Sequence, residues 1–167
     1  MANFEKIFNS PGFHIGFVSR ALRNNIEKRF HAKGYDISFA QWPIMVALWH
    51  YDDLSQKHLS CIMHKNKTSI TRMLATMEKH GIITRETDPK DKRNKLINLT
   101  EKGRDLVEEL VPIIENFVDD MCKGLEPEEI KFLNSTIAKV FENITGFSMY
   151  DISPLKISKQ LITNIHG

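Results

Sequence analysis

The side chains with the clearest chemical potential lie between His64 and Arg104. This stretch holds eleven basic residues against five acids, a net +6, in a chain of 167 residues whose remainder is net −4. A basic segment in an otherwise acidic chain is the electrostatic footprint of a polyanion-binding surface. A solvated lysine-rich face is the plainer alternative. Within the stretch, Ile70, Leu74 and Met77 recur at helical spacing. At about 100° per residue, the opposite face carries Thr68, Ser69, Arg72, Thr76 and Lys79, with Lys65 and Lys67 at the N-terminal end. Small hydroxyl side chains let a helix backbone approach the major groove of DNA. An arginine offers a two-pronged donor to guanine, and the helix N-terminus suits a phosphate. Downstream, Asp88-Pro89-Lys90-Asp91-Lys92-Arg93-Asn94-Lys95 has nothing apolar to bury. Arg93 can enter a narrow, strongly negative minor groove, and Asp91, two residues away, can orient its guanidinium.

Other chemistries lack their residues. No nucleophile–base pair or acidic dyad stands out, so an enzyme is not expected. Seven scattered histidines supply no i, i+4 ligand set, and Cys61 and Cys122 form neither a metal-like spacing nor a disulfide framework. Eight glycines include no phosphate-cradling fingerprint, so no metal and no cofactor are expected. No apolar run approaches the ~18 residues of a membrane span. Met1 to Ser10 lacks the apolar stretch of a secretory signal, so a cytoplasmic protein without membrane contact is expected.

The elements that must position the basic face are mostly helical. Ser10-Pro11 is a capping pair opening a long helix that Gly34 ends. Its apolar residues form two stripes, Ile15, Val18, Leu22, Ile26 and Phe30 beside Phe13, Phe17 and Ala21. A helix apolar on two sides needs more cover than one small core supplies, which suggests a second subunit. Ser38-Phe39-Ala40-Gln41 reads as a capping box before a helix through Trp42, Met45 and Trp49, with Pro43 in its first turn. A polar link over 50–54 precedes a brief helix from Ser55 with Leu59, Ile62 and Met63 inward and Cys61 outward. His64 to Asn66 is a tight turn, and the helix over 67–80 stops at Gly81. Two short strands, Ile82 to Thr87 and Leu96 to Leu99, flank the charged tip. Thr100 caps a long helix with Leu106, Leu110, Ile114, Phe117, Val118, Met121 and Leu125 on one stripe, which Pro112 should bend. Pro127 opens a last helix bearing Ile130, Leu133, Ile137, Val140, Phe141 and Ile144.

The expected fold is therefore mainly α, a winged helix-turn-helix lobe with a two-stranded wing plus an all-helical dimerisation region. The expected divisions are a dimerisation helix over 1–34, the DNA-binding lobe over 35–104, connecting and dimerisation helices over 105–147, and a tail over 148–167 without an assigned role.

Four runs in order, Ile70-Thr71-Arg72-Met73-Leu74, Met77-Glu78-Lys79-His80-Gly81-Ile82-Ile83, Asp88-Pro89-Lys90-Asp91-Lys92-Arg93 and Leu99-Thr100-Glu101-Lys102-Gly103, resemble the MarR family of winged-helix transcription regulators. The resemblance implies a homodimer whose first and last helices pair and whose two lobes read a palindromic site on double-stranded DNA. It implies that Arg93 is the wing arginine at the minor groove and Asp91 its supporting acid. Lys90 stands where many members have arginine, which weakens one phosphate contact. A repressor relieved by a small lipophilic or aromatic effector is the expected regulator. The corresponding effector region draws on Phe13, His14, Phe17, Trp42, Met45 and Trp49, which are also ordinary core residues at helical spacing. The competing readings are a protein-interaction module with a degenerate winged helix and a regulator whose redox switch is Cys61. Cys122, near the apolar stripe of the long helix, reads as core.

Overall fold

Capping chemistry sets most element boundaries in the computed structural model, which describes residues 4–149. The described chain divides into two compact units, 4–39 and 40–149. In the first, α1 (Phe4–Phe8) is a short helix that the sequence pattern did not announce. It leads to α2 (Pro11–Ala32), where the Ser10 hydroxyl accepts the Phe13 N–H at 3.3 Å and Pro11 takes the first turn. The Phe8, Phe13 and Phe17 rings stack edge to face with successive centroids 4.9 Å apart. Of the two expected stripes only Ile26 and Phe30 are fully buried, and Phe17 and Val18 are more than half exposed.

The second unit is the winged lobe and its helical extension. α3 (Trp42–His50) supplies the core residues Ile44, Met45, Ala47 and Leu48. The capping box expected at Ser38 does not start it. The helix begins four residues later, with Gln41 at the N-cap in helical conformation and no side-chain cap bond, and Pro43 in the first turn where no N–H is needed. The polar link expected over 50–54 ends in a strand, β1 (Leu54–Ser55). Asp53, at φ 59°, turns the chain there. Its N–H donates to the Asn98 side chain at 2.7 Å, and the Asn98 amide donates back to the Asp53 carboxylate at 2.8 Å. This exchange locks β1 against β3 (Lys95–Leu99). The wing sheet is thus three-stranded and antiparallel, in the order β1-β3-β2, rather than two-stranded; β2 is Ile83–Thr87.

α4 (Gln56–Ile62) opens on a reciprocal cap. The Ser55 hydroxyl accepts the His58 N–H at 3.2 Å, and His58 Nδ1 accepts the Ser55 N–H at 3.1 Å. Leu59 and Ile62 face the core as expected, whereas Met63 and Cys61 are both half-buried, so Cys61 does not simply point outward. α5 (Lys67–Lys79) follows, capped by Asn66 and closed by His80 and Gly81 at φ 69°. Ile70, Leu74 and Met77 are its buried stripe.

α6 (Glu101–Cys122) starts at Thr100, whose hydroxyl accepts the Gly103 N–H at 3.0 Å. Its buried line is Gly103, Val107 and Leu110; Leu106, expected on the inward stripe, is half-buried. Cys122 at its end is half-buried. Beyond Leu110 the helix has no fully buried residue, and α7 (Pro127–Thr145) has none at all. Residues 150–167, most of the expected tail, lie outside the described residues.

Candidate nucleic-acid interface

Every side chain expected on the reading face is exposed: Lys65, Lys67, Thr68, Ser69, Arg72, Thr76 and Lys79. Their presentation follows from the local hydrogen bonds of α5. The Asn66 side chain accepts the Ser69 N–H at 2.9 Å, fixing the first turn. The Thr76 hydroxyl donates to the Arg72 carbonyl at 3.2 Å and lies back along the helix. Shallow grooves run beside this face, one lined by Lys67, Thr68, Thr71, Arg72 and Ala75 and one by Lys65, Asn66, Thr68, Ser69, Arg72 and Met73.

Two residues of this region escape a helical-wheel reading. Gln56, the first residue of α4, donates from Nε2 to the Thr71 hydroxyl at 2.6 Å and to the Lys67 carbonyl at 3.2 Å. Thr71 in turn donates its proton to the Lys67 carbonyl at 2.8 Å. The first helix of the pair is thereby tied to the first turn of the second. A one-dimensional pattern carries no signal for a bond between residues fifteen apart on different helices.

The wing tip is organised by one carboxylate. Asp91 Oδ1 accepts the Arg93 backbone N–H at 3.0 Å and the Arg93 Nε at 3.3 Å, and Oδ2 accepts the Asn94 amide at 3.1 Å. The Arg93 side chain is 92% exposed, so its root is anchored and its fork reaches solvent. Lys90 and Lys92 are exposed beside it. Lys95 Nζ donates to the Thr87 hydroxyl across the hairpin at 2.7 Å. At the back of the hairpin, Arg85 Nε lies 3.1 Å from a Glu78 carboxylate oxygen, joining β2 to the last turn of α5.

A groove lined by Gln56, Lys57, Ser60, Lys67, Arg93, Asn94 and Lys95 joins the wing base to the N-terminal ends of α4 and α5. Four of these seven side chains are cationic, and Lys57 and Lys95 were not among the expected contacts. Lys57 lies outside the 64–104 basic segment, so a count along the chain could not add it to the surface that the fold assembles.

The Arg93 backbone N–H, and then its guanidinium, hold the Asp91 carboxyl below its ordinary value of 3.8. A lowered carboxyl stabilises the turn at every pH above 3.8, and that contribution is lost only as pH falls through the lowered value. Carbon-detected NMR should therefore place the Asp91 midpoint below 3.8. DNA affinity should show no Asp91 titration between about pH 5 and 8. A midpoint at or above the ordinary value would show that Arg93 is not held as described.

The expected effector residues divide between the two units. On α2, Phe13 packs between Phe8 and Phe17, and His14 Nδ1 is 3.1 Å from the Ser10 carbonyl. On α3, Trp42 and Trp49 are half-buried, with the Arg104 guanidinium 6.0 Å from the Trp49 ring. Met45 is fully buried in the core of the lobe. Among the described residues no group of three His, Cys, Asp or Glu side chains could hold a metal ion.

Comparison with known proteins meets this geometry. Residues 37–95 match the MarR family. The chain is 30% identical over 110 residues to the uncharacterized HTH-type transcriptional regulator YdgJ of Bacillus subtilis, an alignment covering 66% of this chain and 67% of that protein. A MarR-family transcriptional regulator from Listeria monocytogenes, solved in complex with a 26-mer DNA, is 27% identical with a TM-score of 0.72, covering 81% of this chain and 89% of its own. MepR of S. aureus, also solved with DNA, is similar in fold, with a TM-score of 0.76 at 20% identity over 81% of this chain and 99% of its own. These relatives are regulators rather than enzymes. A helix pair tied at its N-terminal ends, a basic wing and this kinship agree: the chain belongs to the MarR family of transcription regulators.

Proposed function

We propose that the protein is a homodimeric repressor that binds a palindromic site on double-stranded DNA, with α5 in the major groove and the wing at the minor groove. One observation carries this reading. The exposed hydroxyl and basic face of α5 and the anchored Arg93 of the wing border a continuous cationic groove. A phosphate backbone running through that groove meets Lys57, Lys67 and Lys95 while Arg72 and Arg93 reach the bases on either side. The relatives solved with DNA support the partner. The hydroxyl residues of 65–95 and all its lysines and arginines except the half-buried Arg85 are exposed, where a degenerate winged helix would have lost them, which weighs against a pure protein-interaction module. Two lobes on a promoter exclude other proteins from it, so repression by occlusion is the simplest consequence.

The second copy accounts for the apolar surface. On α7, Phe132 is 73% exposed and Ile144 77%. α1 and α2 expose Phe4, Ile7, Phe8, Phe17 and Val18. A monomer rarely leaves so much aromatic surface in water. An obligate interface of over ~2,000 Å² is expected. Analytical ultracentrifugation at micromolar concentration should find a dimer, and a stable, folded monomer would refute this assignment. Relief by a small lipophilic or aromatic effector is the further part of the proposal, supported by the aromatic side chains each unit offers by itself, Phe13 and Phe17 near His14 on α2 and the half-buried Trp42 and Trp49 on α3. Met45, buried, would act there only as part of the wall.

Selection from a pool of random duplexes tests the whole reading. A recovered motif with two inverted half-sites about one helical turn apart is expected. Recovery of no common motif would remove sequence-specific recognition.

A further inference from the structure

His64 occupies the turn between α4 and α5 with a left-handed backbone, φ 46°. That conformation is unfavourable for a residue with a side chain, and glycine would adopt it freely. Histidine is tolerated there better than most residues, yet a strained position persists only where its surroundings over-determine it. The surroundings here are two aromatic rings from the far end of the chain. The His64 ring meets Phe141 of α7 edge-on with centroids 5.5 Å apart, and it lies tilted against Phe147 at 6.3 Å. Phe147 is placed by the end of α7. Gly146 turns the chain at φ 73°, the Phe147 N–H donates to the Thr145 hydroxyl at 3.2 Å, and that hydroxyl donates to the Phe141 carbonyl at 2.9 Å.

The turn that carries His64 also feeds the reading helix. His64 N–H donates to the Cys61 carbonyl and Lys65 N–H to the Ser60 carbonyl, both at 3.1 Å. One residue later Asn66 caps α5 through Ser69 and accepts the Ile70 N–H at its carbonyl. A displacement of the His64 ring therefore moves the backbone that sets the first turn of α5.

We propose that His64 is a positioning residue for DNA reading: its ring ties the end of α7 to the helix-turn-helix turn and so fixes the N-terminus of α5. The inference rests on α5 being the reading helix, and it deepens that assignment by naming what holds the helix in register with the C-terminal helix. It also gives a route by which a change at α7 reaches the DNA-contacting surface through rings rather than through the ligand itself.

The test uses the full chain, the duplex recovered by selection, and hydrogen exchange at the Ser69 and Ile70 amides. His64→Gly relieves the left-handed backbone, so a residue that merely shaped the turn would lose nothing on replacement. The expected result is instead about a fivefold loss of affinity for the selected duplex and about tenfold faster exchange at Ser69 and Ile70. Phe141→Leu, which keeps an apolar side chain on α7 but removes the ring, should reproduce both effects. The double variant should be no worse than either single one, and His64→Phe should retain most of the affinity. Unchanged exchange at Ser69 and Ile70 in Phe141→Leu overturns the coupling, as does simple additivity. A wild-type chain that selects no duplex refutes the DNA assignment instead, and the exchange measurement then decides the coupling alone.

Discussion

Gly103→Ala is expected to cost about 2–3 kcal/mol of folding stability. Gly103 lies in the first turn of α6, which rests directly on the backbone leaving α5. The Thr100 N–H donates to the Ile82 carbonyl at 3.0 Å, and the Thr100 hydroxyl donates to the Gly81 carbonyl at 2.7 Å. A Cβ on residue 103 would overlap the Ile82 carbonyl oxygen and crowd Leu99 Cδ2 at 3.1 Å. The Ile82 carbonyl is backbone and cannot rotate away, and the Leu99 side chain, buried on the central strand β3, can yield only partly. The junction Gly81–Ile82 connects α5 to the wing, and lifting α6 off it would tilt the wing away from the reading helix. DNA affinity should fall with stability. Gly12 supplies the control, because a Cβ there meets nothing within 4 Å and its φ is ordinary. Gly12→Ala, inside α2, should stabilise slightly, by about 0.5–1 kcal/mol. Urea unfolding compares the two variants. A Gly103→Ala protein as stable as wild type would mean that α6 does not sit on Ile82 as described.

The second large effect separates reading from holding. Arg72→Ala should lose about 1–3 kcal/mol on the selected duplex and relax discrimination at one base pair per half-site. Lys92→Ala removes an exposed charge at the wing tip. It should weaken all sequences alike and flatten the dependence of log K on log salt by about one unit. Titrations of both variants against the selected and a scrambled duplex, at two salt concentrations, distinguish the cases. Equal losses for Arg72→Ala on both duplexes would take Arg72 out of the base-reading role.

Legibility in the sequence followed the range of the interactions. The α5 stripe of Ile70, Leu74 and Met77 is a periodic signal over one helix, and the exposed face opposite it follows from geometry alone. The Asp91–Arg93 pair spans two residues and was equally readable. β1 was not, because two residues cannot show alternation and its register depends on the Asp53–Asn98 exchange across 45 positions. The same holds for Gln56 against Thr71, and for Lys57 joining Lys67 and Lys95 around one groove. Ser38 misled for a different reason. A serine three residues before a glutamine is compatible with a capping box without requiring one, and the helix instead began where Trp42 and Pro43 enter the apolar run. Met45 illustrates a last limit: a pocket wall and a core residue share the same helical spacing, and only burial separates them.

The central claim is that this chain reads DNA sequence through α5 and the wing. The most direct test measures wild-type affinity for the selected duplex and for a scrambled duplex of equal length, side by side at near-physiological salt. The selected duplex should bind at least about 10³-fold more tightly. Both affinities should fall steeply as salt rises, because the cationic groove holds phosphate in either complex. Equal affinity for the two duplexes, or binding indifferent to salt, would contradict the account.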